Sequence, residues 1–323
     1  ALLMLAVAPR RTERVERVAV LMDTPVRVVV YGPPNAADAA IDEISRLEGL
    51  WHPGRAESDV ARVNAAAGLE AVKVAPETLD LAERALAVAS LTDGAFDPTI
   101  GPLVLAWGFG GGENRVPSSA SREAARGLVG YQDLKVDRAA GTLFLARPGM
   151  VLDLGAVAKG YSAESIRSLL MGRGVKSALV QLGGSVALLG RRPGGEGGRW
   201  QVAVQHPRNP EGFLAGLSLA EGFVDTAGDY QRFFERDGVR YHHILDPATG
   251  EPARGLASVT VIAPRGDQAD AYATAAFVMG MERGYAFLAG QPGIEAILVS
   301  TSGEVRLTPG LAGKVDVQVQ PWP

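Results

Sequence analysis

The sequence predicts an α+β fold of mixed sheets packed with helices, with a ligand crevice between two lobes. Three observations predict it. Strand-like segments come in consecutive groups separated by amphipathic helices, not in the one-to-one alternation of a doubly wound sheet. No period of about 20 to 50 residues marks a repeat array. No linker is long enough to force a split, so residues 15–323 read as a single catalytic unit behind an arm at 1–14.

Alternation over 15–31 fits two strands or one long bent strand, with Pro25 marking a break or an edge. Ile41, Ile44, Leu47, Leu50 and Trp51 recur at helical spacing over 36–51. A shorter helix covers 58–66, with Ser58 as N-cap and Asp59 in its first turn. The segment 76–91 is an amphipathic helix with proline at its start, and Asp93-Gly94 stops it. Residues 98–112 read as a short helix running into a loop, and 114–121 as a linker without periodicity. Short strands fill 134–153, a helix spans 155–170, and strands at 176–182 and 186–189 meet at Gly183-Gly184. After a glycine-rich loop at 191–199, strands resume at 199–206, 214–219, 222–226 and 230–236. Asp237-Gly238 is a two-residue hairpin signal before 239–245. A strand at 257–263, helices at 267–279 and 282–288, and a hairpin over 295–305 around Ser302-Gly303 complete the chain.

Composition narrows the function. The 323 residues are 47% hydrophobic and 21% charged, as in soluble globular proteins, and can bury a sizeable core. A net charge of −4 argues against a general nucleic-acid or anionic-membrane surface, and 6% aromatics do not support a base-stacking platform. The chain has no cysteine, which excludes disulfides, thiolate metal sites and a cysteine nucleophile. The apolar run from Ala1 to Ala8 is too short to span a bilayer. It reads as the tail of a signal peptide, or alternatively as a first strand or an arm.

Polar chemistry concentrates between Thr226 and Thr274. Asp270 and Thr274 stand i, i+4, so on a helix their oxygens share one face. Two hard oxygens so placed suit Mg²⁺, which completes its shell with water and phosphate oxygens. The alternative is an aspartate N-cap and a threonine bonding back to a carbonyl. Upstream, Leu152-Asp-Leu-Gly-Ala-Val-Ala-Lys-Gly160 opens a helix, so free N–H groups, the helix dipole and Lys159 make an anion site. A plain helix cap explains it equally. It lacks the spacing of a Walker A loop.

His243 precedes a turn begun by Asp246-Pro247 and ended by Gly250, and its imidazole suits a base or a polarising contact. In a strand His242 and His243 face opposite ways, so one of them enters a site. His52 and His206 stand beside prolines in loops and read as surface. Asp97 suits an Asx-turn, and Asn64 a helix C-cap. Asp229, Tyr230 and Arg232 suit a hairpin edge, and Met22 and Trp107 suit the core.

In order along the chain, five motifs resemble the ApbE family of FAD:protein FMN transferases. They are Ala156-x-x-Lys159-Gly160, Leu182-Gly-Gly184, Thr226-x-Gly-Asp-Tyr-x-Arg232, His243-Ile-Leu-Asp-Pro-x-x-Gly250 and Asp270-x-x-x-Thr274. Met22-Asp-Thr24, the stretch from Ser58 to Asn64, and Asp93-Gly-Ala-Phe-Asp-Pro-Thr99 extend the resemblance from about residue 21 to about 280. The chain departs from the family in having Met-Asp-Thr for Met-Gly-Thr, Thr-Ala-Gly for Thr-Ser-Gly, and Gly-Gly-Ser185 for Gly-Gly-Asp/Asn.

The resemblance implies Mg²⁺ held by the Asp270 carboxylate, the Thr274 hydroxyl and the Ala156 carbonyl. It implies FAD as substrate, bound around Met22, Asn64, Asp97, Lys159, Gly160, Thr226, Gly228, Asp229, Arg232 and His243. The FMN half would pass to a threonine or serine hydroxyl of a target protein as a phosphoester, releasing AMP. Either His243 or Asp270 would accept the proton. The expected target is a membrane-associated electron-transfer subunit, and the expected location periplasmic, with at most peripheral membrane association and no nucleic acid. The alternatives are an FAD pyrophosphatase with the same site and a flavin carrier without turnover.

Overall fold

In the computed structural model, residues 13–109, 111–311, 315–317 and 322 are described. The signal-like run at 1–8 lies outside them, as does most of the arm expected at 1–14. The first alternating segment resolves into two strands, β1 (Arg14–Leu21) and β2 (Thr24–Tyr31), paired antiparallel. Met22 and Asp23 make the turn with φ of 53° and 55°, the double left-handed geometry of a type I′ hairpin. Pro25 opens β2 without breaking it, opposite Val20. Helix α1 (Pro34–Trp51) buries Ile44, Leu47 and Trp51 of the expected stripe together with Ala40, while Ile41 and Leu50 pack against the core partly buried. Helix α2 (Asp59–Ala65) starts at the Ser58 cap, whose hydroxyl accepts the Ala61 N–H at 3.0 Å.

Next come β3 (Val72–Lys73), α3 (Pro76–Leu91), α4 (Gly101–Trp107), α5 (Ser119–Arg126), β4 (Leu134–Asp137) and β5 (Thr142–Leu145). Helix α5 begins inside the segment expected as a linker, because Ser118 caps it by accepting the Ser121 N–H at 3.2 Å. It buries only Ala125, which is why no apolar period announces it. Helix α6 (Ala158–Gly172) begins three residues later than the expected 155, since residues 155–157 form a turn closed on the Leu154 carbonyl.

The strands β6 (Ala178–Leu182), β7 (Ser185–Leu189), β8 (Trp200–His206), β9 (Asn209–Leu219), β10 (Gly222–Gly228), β11 (Phe233–Arg236), β12 (Val239–His242) and β13 (Leu256–Ala263) follow. Helix α7 (Gly266–Ala289) joins both expected helices across Gly280, whose φ of 79° and ψ of −178° are not helical. The strands β14 (Glu295–Ser300), β15 (Val305–Leu307) and β16 (Asp316–Val317) end the described chain.

Eight strands form one sheet in the order β1-β2-β6-β7-β10-β13-β14-β15, each neighbour antiparallel. Alternation sorts its residues to two sides. Val28, Val180, Ala187, Phe223 and Val259 face the helices, while Leu188, Val224 and Ile297 face β8 and β9. A third cluster ties α4 and α5 to the β11–β12 hairpin through Leu103, Trp107 and Leu245. Trp107, expected in the core, is fully buried and donates its indole N–H to the Gly250 carbonyl at 2.8 Å. His206 is not a surface residue. It is buried, accepts the Arg208 N–H at 3.1 Å and packs against Trp322. No helix among the described residues is long and apolar enough to cross a membrane.

Two contacts set the rim that carries the site. The Gly183-Gly184 turn lies against Thr24, where a Cβ on Gly183 would stand 2.4 Å from the threonine hydroxyl. Helices α6 and α7 cross at Gly160 and Gly266, and a Cβ on Gly160 would meet the Gly266 carbonyl at 2.1 Å. Gly160→Ala should therefore lower stability in urea unfolding by about 1–3 kcal/mol, the usual cost of overpacking. Gly172→Ala, with open space around it, should leave stability unchanged or raise it by up to about 1 kcal/mol. Equal effects would contradict a backbone contact at the crossing.

Candidate functional site

The two helices cap each other where they cross. Asp270 of α7 accepts the Gly160 N–H of α6 at 3.0 Å, and Glu164 of α6 accepts the Gly266 N–H of α7 at 2.8 Å. Each helix start leaves N–H groups without intrahelical partners, and here the neighbouring helix supplies the carboxylate. Asp270 is thus not an N-cap of its own helix, which begins after Arg265. Its carboxylate is buried and lies 3.8 Å from the Lys159 ammonium, which also donates to the Gly155 carbonyl at 2.9 Å.

Thr274 stands one turn along α7 and is half-buried. Thr92, Ser162 and Ser168 bond back to helix carbonyls at 2.8, 2.7 and 3.0 Å, but the Thr274 hydroxyl has no such partner among the described residues. The Ala156 carbonyl likewise takes no backbone N–H there, because Gly160 gives its N–H to Asp270. Among the described residues no three His, Cys, Asp or Glu side chains form a metal cage. One carboxylate, one hydroxyl and one carbonyl remain, an all-oxygen set that suits a hard cation keeping water and phosphate ligands.

The paired histidines divide their roles. His242 is buried, with Nε2 against the Ala253 carbonyl at 2.8 Å and Nδ1 accepting the Ile244 N–H at 3.3 Å. Both nitrogens are spent. His243 lies at the base of the hairpin, with Nδ1 3.2 Å from the Arg232 carbonyl. A carbonyl only accepts, so the proton sits on Nδ1 and Nε2 presents its lone pair. Burial and the Arg232 charge push the His243 imidazolium down to about 3, and Lys159 adds to the repulsion. The Arg232 side chain is exposed and forms no ion pair among the described residues.

Asp225 was not singled out from the sequence, although an acid on the core face of an apolar strand is a signal. It falls on the helix side of β10 with Phe223 and Ala227, and accepts the Ser185 hydroxyl. Burial and the neighbouring Asp270 carboxylate push its pKa up to about 7, against the pull of Lys159.

The other expected residues divide into two groups. Met22, in the strained turn, gives its N–H to Glu48 at 2.7 Å and lies with its sulfur 3.7 Å from the Ser162 hydroxyl. Thr226 shares a 2.9 Å hydrogen bond with Thr260, and Gly228 leaves room for the Tyr230 ring, which a Cβ would meet at 2.5 Å. Three further residues expected at the flavin also make framework bonds. Asn64 clamps the Leu152 backbone, donating at 3.1 Å and accepting at 2.6 Å, rather than capping its helix. Asp97 builds the Asx-turn, accepting from Thr99 at 2.7 Å and from the Tyr131 N–H at 2.9 Å. Asp229 binds Arg208 bidentately at 2.6 and 2.7 Å, beside a separate cavity lined by Arg240 and His242.

The histidines make stability pH-dependent. Burial holds His242 down to about 4, and His243 to about 3. The unfolded chain takes up their protons near pH 6.5 while the native state does not, so stability falls as pH drops from about 6.5 towards 4. His242 alone should cost about 3 kcal/mol across that window. Urea unfolding at pH 7.5 and 4.5 checks it. His242→Gln should be less stable at pH 7.5 and show a flatter pH slope, and an unchanged slope would contradict a buried neutral imidazole.

The ApbE family model matches residues 22–298. An FAD:protein FMN transferase of Klebsiella pneumoniae is 37% identical over 293 residues, covering 90% of each chain. One of Treponema pallidum is 37% identical over 326 residues, covering 95% of this chain and 90% of the relative. The crystal structure of the ApbE protein from Thermotoga maritima superposes with a TM-score of 0.86 at 35% identity, over 93% of this chain and 98% of its own. Apo Pseudomonas stutzeri flavinyl transferase ApbE gives 0.82 at 32% identity, over 93% and 96%. With a match across this span and likeness in both sequence and fold, the chain belongs to the ApbE family.

Proposed function

We propose that the chain is an FAD:protein FMN transferase that moves FMN onto a threonine or serine hydroxyl of a target protein. The relatives' activity supports the reaction class. The observation that supports it here is the buried Asp270 carboxylate 3.8 Å from the Lys159 ammonium, together with a neutral His243 whose Nε2 is open. Asp270, Thr274 and the Ala156 carbonyl would hold Mg²⁺, which supplies charge to neutralise pyrophosphate oxygens. Lys159 and the exposed Arg232 add fixed positive charge for the phosphates. His243 takes the acceptor hydroxyl proton at Nε2. The hydroxyl oxygen bonds to the FMN-side phosphorus, the bond from that phosphorus to the bridging oxygen breaks, and AMP leaves. His243 is the freer of the two candidate bases, since Asp270 Oδ2 already faces the Gly160 N–H and Lys159. The unit would work at the periplasmic face, on a membrane-associated electron-transfer protein.

Incubation with FAD, Mg²⁺ and a candidate target should add the mass of FMN less one water to the target and release AMP in equal amount. Fast FMN and AMP release that no target accelerates, with every target unmodified, would make the protein a pyrophosphatase. Failure to split FAD under any condition would make it a carrier.

Two variants separate the roles. His243→Ala should slow transfer about 10²-fold or more, the scale of a positioned acid–base group, while FAD affinity stays within about tenfold. Asp270→Ala should abolish transfer and weaken FAD, and Thr274→Val should do so more mildly, since water replaces a hydroxyl ligand. Kinetics and flavin fluorescence titration measure both. An equal loss of binding and rate in His243→Ala would make that residue a positioning group.

A further inference from the structure

The cavity beside the Asp229–Arg208 pair carries a charge that the proposed transfer leaves unused. Its volume is about 180 Å³, room for one oxyanion and a few waters. Arg208, Arg240 and Arg254 line it with Asp229, His242 and Thr301, whereas Lys159, His243, Asp270 and Thr274 do not. The three arginines come from separate elements. Arg208 lies between β8 and β9, Arg240 on β12, and Arg254 just before β13. Asp229 is the one carboxylate of the lining. Arg208 already takes both of its oxygens, at 2.6 and 2.7 Å, and Arg240 stands 3.8 Å away. Glu235 reaches Arg240 at 3.1 Å, but it is exposed and outside the lining, where water screens such a pair.

Arg254 forms no ion pair among the described residues. One of its N–H groups donates to the Arg240 carbonyl at 2.9 Å, and its guanidinium stands 5.6 Å from the centre of the Tyr241 ring. The Thr301 hydroxyl has no partner there either, and both nitrogens of His242 are taken by backbone. Three guanidiniums against one carboxylate leave the lining two positive charges in excess. Planar guanidinium forks match the oxygens of a phosphate group, and its double charge answers that excess.

We propose that this cavity is a site for a phosphate-class oxyanion, which bridges Arg254 and Arg240. The bound anion braces the β11–β12 hairpin, a two-stranded sheet of its own whose last strand runs into His243. The cavity would fill whether or not the chain transfers FMN.

Equilibrium dialysis of the whole protein against radiolabelled inorganic phosphate tests this, at constant ionic strength in EDTA. Saturating FAD keeps the flavin site filled and idle. The protein should take up phosphate saturably, one per chain. Arg254→Gln should weaken that uptake about tenfold or more. Arg254→Lys should weaken it less, because the charge stays and only the fork is lost. Acetate should displace the label far less than unlabelled phosphate does. In calorimetry, phosphate should raise the Tm of the parent but not that of Arg254→Gln. An arginine that only braces the Arg240 carbonyl would instead lower Tm equally with and without phosphate, and that result would overturn the site. So would the absence of saturable uptake, uptake that saturating FAD abolishes, or uptake unchanged in Arg254→Gln. Displacement by acetate as strong as by phosphate would overturn the phosphate class.

Discussion

The structure depends on one reciprocal contact, the crossing where α6 and α7 each lend a carboxylate to the other's first turn. Asp270 accepts from Gly160, Glu164 accepts from Gly266, and only glycine at both crossing points lets the backbones approach. The contact does two jobs. It satisfies helix-start N–H groups that burial would otherwise leave unpaired. It also turns the Asp270 carboxylate toward the Lys159 ammonium and, among the described residues, leaves the Thr274 hydroxyl without a partner and the Ala156 carbonyl without a backbone N–H. On the proposed reading, chemistry and helix packing share the same atoms.

The sheet supplies the rest of the rim through its turns. The Met22-Asp23 turn needs two left-handed residues, and aspartate tolerates that conformation where the family motif has glycine. Methionine does not tolerate it readily. Its N–H is held by Glu48, and its sulfur reaches across to Ser162 on α6, so surrounding contacts fix a strained residue beside the site. The hairpin adds the proposed base. By taking Nδ1 of His243 on a carbonyl and depressing its protonation with Arg232, the fold presents an imidazole that is neutral and correctly tautomeric across physiological pH.

Much of this was legible in the sequence because it is local. Asp270 and Thr274 announce their shared face by an i, i+4 interval, whereas His243 lies just past the end of β12, so its separation from His242 is not simple strand alternation. The α+β class followed from grouped strands. The residues that read less clearly are those whose partners lie far along the chain. Asn64 meets Leu152, Asp97 meets Tyr131, and Asp229 meets Arg208, framework bonds that their local motifs do not announce. Asp225 escaped for the same reason, since its meaning comes from Ser185 and Asp270 on other elements. Helix α5 was illegible for a different one. A helix that buries a single alanine carries no apolar period to read.

The central claim is that the helix crossing builds a cation site from Asp270, Thr274 and the Ala156 carbonyl. A crystal structure of the protein soaked with Mn²⁺ and FAD tests it most directly, through the anomalous difference map. The account predicts one strong peak at about 2.1 Å from an Asp270 carboxylate oxygen, the Thr274 hydroxyl and the Ala156 carbonyl, with pyrophosphate oxygens completing the shell. A peak elsewhere, or bound FAD with Asp270 still turned only to Gly160 and Lys159, would contradict it.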